Sequence, residues 1–308
     1  MPRRTSIGII GTGWVGSSVA ISALHAGAAN ELILYDVRQE IAEGEAMDLA
    51  HGSSFYPSAA VRSGTIEEMR EADAVVIAAG RGGGPGQSRL DLLNDNLRIV
   101  RDLAQQMRGY QGIVVVVTNP VDVLTHLFTR TSGLPPERVI GTGTMLDTAR
   151  LRQVLGRKLS LDPRSIHAQV IGEHGDSEVV LWSGAHVGGM PLRRWPGWDR
   201  EQEAGVAHEV RTAAQEIIKR KGATNHAIGL VTSALLRWML RGERRVLTVS
   251  RLQSGALGLN DVALSLPTIV GAEGATDVLE PELDDDERIL LERSASVLRN
   301  AAENVMNE

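Results

Sequence analysis

The chain of 308 residues contains no cysteine, so disulfide bonds, a thiol nucleophile and a cysteine metal site are all excluded. Aromatic residues make up only 3% of the sequence, which means that aliphatic side chains must fill the core. The formal net charge is −6, and the basic cluster at the start consists of Arg3 and Arg4 alone. This charge balance gives no electrostatic case for nucleic acid or an anionic membrane as a partner, and we expect neither.

Long hydrophobic runs are also missing. No stretch reaches the roughly 20 apolar residues of a membrane span, and no signal-like apolar segment follows the two N-terminal arginines. We therefore expect a cytoplasmic protein, and nothing in the sequence predicts a metal site. With 43% hydrophobic residues, the chain is long enough for one or two globular domains with full cores.

A dinucleotide-binding fingerprint lies near the N-terminus. The apolar segment SIGII leads into GTGWVG at 11–16, an apolar helical stretch follows, and ELILYD closes the unit at 31–36. Glycines at this spacing permit a tight turn and close approach of a pyrophosphate to a helix N-terminus. The predicted cofactor contacts in this turn are Gly11, Gly13, Trp14, Val15 and Gly16. Asp36, 20 positions after Gly16, can hydrogen-bond the adenine ribose and would repel a 2′-phosphate, so the pattern predicts NAD rather than NADP.

Apolar strands alternate with helical patterns through the first half of the chain, which predicts a Rossmann-type doubly wound parallel sheet. From about Thr142 the pattern changes to mixed hairpins and long helices, and we expect a mixed α+β catalytic domain there. The predicted domains are therefore an NAD-binding domain, residues 1–142, and a catalytic domain, residues 143–308. The predicted strands are 6–11, 31–36, 74–79, 113–118, 139–141, 166–171, 245–249 and 265–270.

The segment GRGGGPGQ at 80–87 contains five glycines and a proline directly after an apolar strand. One interpretation is an ordinary disordered turn. The other is a mobile lid, residues 80–89, which closes over a substrate and brings Arg89 into the site. In that position Arg89 would polarise a carbonyl oxygen.

The segments IGEHGDS at 171–177 and LDTAR at 146–150 supply a histidine, a carboxylate and a guanidinium. Oxidation of a secondary alcohol beside a carboxylate needs these three groups. In this reaction we expect His174 to accept the hydroxyl proton, while Asp147 would fix the ring tautomer and stabilise the imidazolium. Arg150 would bind the substrate carboxylate through the two prongs of its guanidinium. Asp147 and Arg150 are three positions apart on a predicted helix and share one face.

Over essentially its whole length the chain resembles the L-lactate and malate dehydrogenase superfamily. The matching motifs are GTGWVG, LYD, PGQSR, VTNPVD, GTGTMLDTAR, IGEHGDSE and KGATNHAIG. The resemblance implies the roles given above for His174, Asp147 and Arg150, and the lid role of Arg89. It also implies that Asn119 contacts the substrate oxygen and the nicotinamide ribose, that Thr224 lines the substrate pocket, and that Ile228 backs the nicotinamide ring.

Within this superfamily, Glu173 and Thr224 are typical of the lactate branch. In this family, the residue six positions before the lid arginine discriminates substrates by size and charge. Lactate enzymes usually have glutamine at this position, and malate enzymes usually have arginine. This chain has Gly83 there, and Arg81 lies two positions away. L-lactate is the first hypothesis for the substrate, while malate and bulkier 2-oxo acids remain alternatives.

Arg152 and His167 match the lactate enzymes that fructose 1,6-bisphosphate activates. On a helix, Arg152 lies about 200° round from Arg150 and faces away from the active site, as an intersubunit phosphate site requires. An exposed arginine and a strand histidine without this role are the alternative. We expect a homo-oligomer, and this pair of residues favours a tetramer.

Two other classes of function share parts of this pattern. An NAD- and metal-dependent glycosidase has a related cofactor domain, but its metal chemistry calls for a cysteine and histidine pair. A non-catalytic NAD sensor would need neither His174 with Asp147 nor the two arginines. Both classes are therefore less favoured than a 2-hydroxy acid dehydrogenase.

Overall fold

The computed structural model describes residues 5–81 and 89–306, the side chains of residues 89–92 and 306 excepted. The α-helices are α1 Trp14–His25, α2 Gln39–His51, α3 Ile66–Met69, α4 Arg89–Gln106, α5 Val121–Ser132, α6 Met145–Leu159, α7 Glu201–Lys221, α8 His226–Leu240 and α9 Asp285–Met306. The strands are β1 Ser6–Ile10, β2 Glu31–Tyr35, β3 Ala60–Ser63, β4 Ala74–Ile77, β5 Ile113–Val116, β6 Val139–Gly141, β7 Ile166–His167, β8 Val170–Ile171, β9 Val179–Val180, β10 His186–Val187, β11 Met190–Pro191, β12 Arg245–Ser254, β13 Asn260–Gly271 and β14 Gly274–Val278.

Nine of these strands form one sheet in the order β14-β13-β12-β6-β5-β4-β1-β2-β3. Strands β1 to β6 pair in parallel, whereas β12, β13 and β14 extend the sheet in antiparallel fashion. The predicted doubly wound parallel sheet is confirmed, and three strands from the second half of the chain complete it. The strand order reverses between β1 and β4, and such a switch point forms a crevice at the carboxyl ends of the strands.

The sheet is buried on both faces, which explains why its parallel strands read as continuous apolar runs. Successive side chains of a strand point to opposite faces. Ile9 and Val76 pack under α1, α2 and α8, whereas Ile10 and Ile77 pack under α4, α5 and α9. A third core joins α6 and α7 to the short strands of the second half. The helices that border the crevice are thus fixed by separate apolar cores.

The expected single strand over residues 166–171 is wrong. The structure divides it into β7, which pairs with β10, and β8, which pairs with β9. Between the two strands the Ala168 carbonyl accepts from Arg152 Nε at 3.0 Å, and at the start of β8 the Val170 N–H donates to Thr148 Oγ1 at 3.0 Å. Side chains of α6 therefore satisfy backbone groups that a continuous strand would pair with a neighbour. The sequence pattern also misses β3, because its four residues, AVRS, show no apolar alternation.

Among the helices of residues 5–81 and 89–306, none combines the length and the apolar character that a bilayer crossing requires.

Gly229 allows α8 to pack closely on α1, which begins at the predicted cofactor turn. A Cβ atom at position 229 would lie 2.6 Å from the backbone oxygen of Ser18. We expect Gly229→Ala to lower the free energy of unfolding by about 1–3 kcal/mol, because the overpacking outweighs the gain in helix propensity. Urea unfolding of the variant measures this change.

Gly205→Ala is the matched control, since Gly205 is an exposed glycine of α7 and a Cβ atom there meets nothing within 4 Å. This substitution should raise the free energy of unfolding by about 0.5–1 kcal/mol. Equal shifts in the two variants would show that the contact between α8 and α1 is not tight.

Candidate active site

The glycine turn between β1 and α1 has the geometry that a dinucleotide needs. Gly11 has φ +95°, and a Cβ atom there would lie 2.5 Å from the backbone of Ala79. A Cβ atom at Gly16 would lie 1.9 Å from the Gly11 oxygen, so only glycine permits this close contact of helix and strand. Gly13 precedes α1, and nothing lies within 4 Å of its Cβ position. The uncapped start of α1 therefore faces open space that a pyrophosphate fits.

Asp36 follows β2 and lies beside the same turn. Its Oδ2 accepts from the Thr12 N–H at 3.0 Å and its Oδ1 accepts from the Arg38 N–H at 3.1 Å. The carboxylate is thus fixed by backbone groups while its side chain keeps 13% exposure. This position at the end of the second strand is where a ribose hydroxyl meets an acid in dinucleotide folds. Trp14, the first residue of α1, is 64% exposed.

A cavity of about 660 Å³ continues from this turn along the carboxyl ends of the parallel strands. Six of the residues predicted from the sequence line it: Val15, Asn119, Arg150, His174, Thr224 and Ile228. Strand β5 leads into Asn119, α6 supplies Arg150, and the loop between β8 and β9 supplies His174. The structure therefore brings together groups from the first and the second half of the chain.

Asp147, in the first turn of α6, joins the two charged groups that line the cavity. Its Oδ2 lies 2.5 Å from Nδ1 of His174, and its Oδ1 accepts from Nη1 of Arg150 at 2.8 Å. The Asp147 side chain is only 3% exposed, against 23% for His174 and 14% for Arg150. With Asp147 ionised, Nδ1 of His174 donates to it, which leaves Nε2 to exchange a proton with a bound substrate.

Burial and charge set the protonation states of this group. Burial alone would lower the pKa of His174, but the charge and hydrogen bond of Asp147, followed by the charge of Asp122, raise it to about 9. Burial would likewise raise the pKa of Asp147, but the charges and hydrogen bonds of His174 and Arg150 hold it below its ordinary value. At neutral pH the pair is therefore an imidazolium beside a carboxylate.

The remaining predicted residues lie elsewhere. Arg152 and His167 do not line the 660 Å³ cavity, and Arg152 instead borders a separate cavity of about 380 Å³. Arg89 is the first residue of α4, but its side chain lies outside the described part of the structure, as does Gly83. The lid hypothesis for residues 80–89 concerns mostly residues outside the described ranges.

Sequence reasoning misses several residues of the site. Asn96 on α4 accepts from the Arg81 N–H at 2.6 Å and donates to the Asn119 carbonyl at 3.0 Å, which links the end of β4 to the end of β5. Ala214 and Ile218 of α7 line the cavity. Helical spacing alone shows only that Ala214 and Ile218 lie on one face of a helix. It does not show that this face lines the cavity, because that depends on how α7 packs against strands that are distant in sequence.

Glu178 is a further missed residue, although it is part of the motif IGEHGDSE. It is buried, and its Oε1 has no hydrogen-bond partner among the described residues. Burial, with a smaller contribution from the charge of Asp147, raises its pKa to about 8. This acid is therefore mostly neutral at pH 7, in contrast to Asp147.

A dinucleotide turn, a cavity at the switch point of an open α/β sheet and a histidine–aspartate–arginine cluster define a nucleotide-dependent oxidoreductase. Residues 5–141 match the NAD-binding domain of lactate/malate dehydrogenases, and residues 144–308 match the α/β C-terminal domain of the same family. The chain belongs to the lactate/malate dehydrogenase family. The predicted family and the predicted cofactor, NAD, are confirmed.

Relatives of known name cover nearly the whole chain. An L-lactate dehydrogenase 2 from Lactococcus lactis is 42% identical, over 96% of this chain and 97% of that protein. An L-lactate dehydrogenase from Geobacillus kaustophilus is 41% identical over 96% of both. Among solved structures, the minor L-lactate dehydrogenase of Enterococcus mundtii superposes with a TM-score of 0.95 at 41% identity, covering 98% of each chain. The predicted fold class is thereby confirmed.

We expect the imidazole of His174 to titrate near pH 9, above the ordinary value of about 6.5 for histidine. Asp147→Asn should lower this pKa strongly, because the variant loses the charge that favours the imidazolium while the burial that disfavours it remains. NMR titration of the histidine ring signals in both proteins measures the shift. An unchanged pKa in the variant would contradict the assignment of Asp147 as the partner of His174.

Proposed function

We propose that this chain is an NAD-dependent L-lactate dehydrogenase that interconverts pyruvate and L-lactate. The observation that supports this most directly is the Asp147 carboxylate, which holds His174 and Arg150 side by side at a cavity that begins at the glycine turn. A proton carrier beside a carboxylate-binding cation is what a small 2-hydroxy acid requires. The L-lactate dehydrogenases named above are similar to this chain over nearly its full length.

The charged cluster accounts for the proton transfer. NAD, when bound, supplies the acceptor for the hydride of the alcohol carbon. Arg150 binds the substrate carboxylate, and among the described residues its guanidinium has one hydrogen-bond partner, Asp147, so further N–H groups remain for the substrate. His174 takes up the hydroxyl proton in lactate oxidation and donates it to the developing alkoxide in pyruvate reduction. The raised pKa of His174 keeps it protonated at neutral pH, which favours pyruvate reduction.

Other roles in the proposal come from the family resemblance and from position. Asn119 contacts the substrate oxygen and the nicotinamide ribose, Thr224 lines the substrate pocket, and Ile228 backs the nicotinamide ring. These roles are supported by the position of all three residues in the lining of the 660 Å³ cavity. Arg89 polarises the carbonyl oxygen, and its position at the start of α4, whose Asn96 lines the cavity, is consistent with that. The proposed contacts to the adenine half of NAD are Gly11, Gly13, Trp14, Val15, Gly16 and Asp36.

We retain the division into residues 1–142 for the cofactor and 143–308 for the substrate groups as part of the proposal. The two family matches, 5–141 and 144–308, support this boundary. The cytoplasmic location is likewise a proposal, supported by the availability of NAD in that compartment.

Oxaloacetate is the less favoured substrate. Recognition of its second carboxylate calls for an additional cation, and Arg81 lines the cavity. However, Nη1 of Arg81 already donates to Oδ2 of Asp95 at 3.0 Å. Gly83, which lies outside the described residues, supplies no side chain for discrimination, so bulkier 2-oxo acids are the second candidate substrates.

We expect His174→Asn to keep the fold and NADH binding but to lower the kcat of pyruvate reduction by on the order of 10² or more, because the proton carrier is lost. NADH oxidation with pyruvate, oxaloacetate and 2-oxoisocaproate, measured side by side, tests both the activity and the substrate. His208→Asn on the exposed face of α7 is the control. Near-normal turnover by the His174 variant, or preference of the unmodified enzyme for oxaloacetate, would overturn the proposal.

We further propose that the enzyme is a homotetramer activated by fructose 1,6-bisphosphate through Arg152 and His167. Arg152 Nε donates to the carbonyl of Ala168, so its side chain lies next to the strand that carries the exposed His167. Leu230 and Val246 line the same 380 Å³ cavity as Arg152 and are 65% and 47% exposed. Exposed apolar side chains on one patch support a subunit interface, and an arginine beside them suits a phosphate.

In the unmodified enzyme, fructose 1,6-bisphosphate should lower the KM for pyruvate, and Arg152→Gln should abolish this effect, because the phosphate loses its cation. Lys158→Gln, an exposed charge on the same helix, should leave the effect unchanged. Initial-rate kinetics with and without the effector measure the KM. Absence of binding to the unmodified enzyme at millimolar effector in titration calorimetry would exclude the regulation.

A further inference from the structure

We propose that Asp122 is a positioning residue: its buried carboxylate holds the backbone of His174 against the start of α5 and so fixes the proton carrier relative to Asn119. The proposal rests on the proposed function, since it concerns the same proton transfer. The sequence pattern alone assigns no role to Asp122, although it is the last residue of the motif VTNPVD.

The geometry of the contact is direct. Asp122 lies in the first turn of α5, three positions after Asn119, and is 2% exposed. Its Oδ2 accepts from the backbone N–H of His174 at 2.7 Å. Asn119 and His174 both line the 660 Å³ cavity, but they are carried by segments that are far apart in the sequence. The Asp122 side chain thus connects the segment that carries Asn119 to the segment that carries His174.

The buried position of Asp122 is energetically unfavourable for an ionised carboxylate. Burial raises the pKa of Asp122 to about 6, and the charge of Glu173 acts in the same direction. The backbone N–H of His174 and the charge of His174 favour the ionised form, and the Ser250 hydroxyl lies nearby. Among the described residues, neither Asp122 Oδ1 nor Ser250 Oγ has a partner by hydrogen-bond geometry, so this side of the carboxylate is incompletely compensated. If position 122 served packing alone, an apolar side chain there would stabilise the fold more than a buried carboxylate does.

The helix start offsets part of this cost, because a negative charge in the first turn is favoured by the helix dipole. The negative charge of Asp122 also stabilises the imidazolium of His174, although by less than the charge of Asp147 does. Further charges near His174 are those of Arg150 and Glu178. Asp122 therefore acts on His174 in two ways: it binds the backbone N–H and it supports the ring charge.

The test separates these effects with two variants. Asp122→Ala removes the acceptor and leaves the His174 N–H unsatisfied, whereas Asp122→Asn keeps an oxygen acceptor and places an amide donor toward the partnerless Ser250 hydroxyl. Thr129→Val, a buried change on the same helix away from the cavity, is the control for general destabilisation of α5.

We expect Asp122→Ala to lower the kcat of pyruvate reduction about 10- to 100-fold with unchanged NADH affinity, because a misplaced reacting group slows the chemical step. Asp122→Asn should restore kcat to within about threefold of the unmodified enzyme. In this variant the loss of activity at high pH should begin at lower pH, since His174 loses a supporting negative charge. Thr129→Val should change neither kcat nor the pH profile.

Hydrogen exchange of the peptide around His174 provides a readout that does not depend on activity. Its amide protection should fall in Asp122→Ala and persist in Asp122→Asn. Two results would show that Asp122 does not position His174. In the first, Asp122→Ala keeps a kcat within about twofold of the unmodified enzyme. In the second, Asp122→Asn loses as much kcat and as much amide protection as Asp122→Ala. If the unmodified enzyme reduces none of the oxo acids, the proposed function fails, and the exchange data alone decide the positioning role.

Discussion

The site depends on one buried carboxylate with two cationic partners. Each oxygen of Asp147 serves a different group, His174 on one side and Arg150 on the other. Removing this side chain would leave the Arg150 charge without its partner in a largely desolvated place and would favour the neutral form of His174, which is more costly than the loss of one hydrogen bond. The spacing of Asp147 and Arg150 on α6 fixes one of the two contacts locally. The other contact requires the loop after β8 to return to the start of α6.

That return is secured by polar contacts behind the site. Thr144, just before α6, donates its N–H to Ser265 Oγ at 3.0 Å and its hydroxyl to the Val170 carbonyl at 2.5 Å. The Val170 N–H in turn donates to Thr148 Oγ1. The carbonyl and the N–H of Val170 in β8 are therefore both held by threonines at the start of α6, and β8 runs directly into the loop of His174. The extended sheet matters here because β13 supplies Ser265.

Local patterns predict the parts of this enzyme whose determinants lie within a few residues. The glycine turn with Asp36 and the pair of Asp147 with Arg150 belong to this kind, since turn geometry and helix periodicity act at short range. The division of residues 166–171 into two strands escapes prediction because side chains of α6 compete for its backbone groups. His126 shows the same limit: it lies on an amphipathic helix, a pattern typical of a solvated or capping histidine, yet it is buried beside β13. The outcome depends on tertiary packing that no short window contains.

Three acids around the proton carrier differ in charge because their surroundings differ. Asp147 is ionised through its two cations, and Asp122 has a pKa of about 6 and is mostly ionised at pH 7. Glu178, whose Oε1 has no hydrogen-bond partner among the described residues, has a pKa of about 8 and is mostly neutral. With Glu178 neutral, the negative charges of Asp147 and Asp122 match the positive charges of His174 and Arg150, and the further charges of Glu173 near Asp122 and Arg211 near Glu178 have opposite signs. An arriving substrate carboxylate adds one negative charge, and its hydrogen bonds to Arg150 must compensate for it. If Glu178 were also ionised, the site would already carry an excess negative charge and would repel the substrate. The burial that raises the pKa of Glu178 therefore preserves the capacity of this cluster to bind an anion.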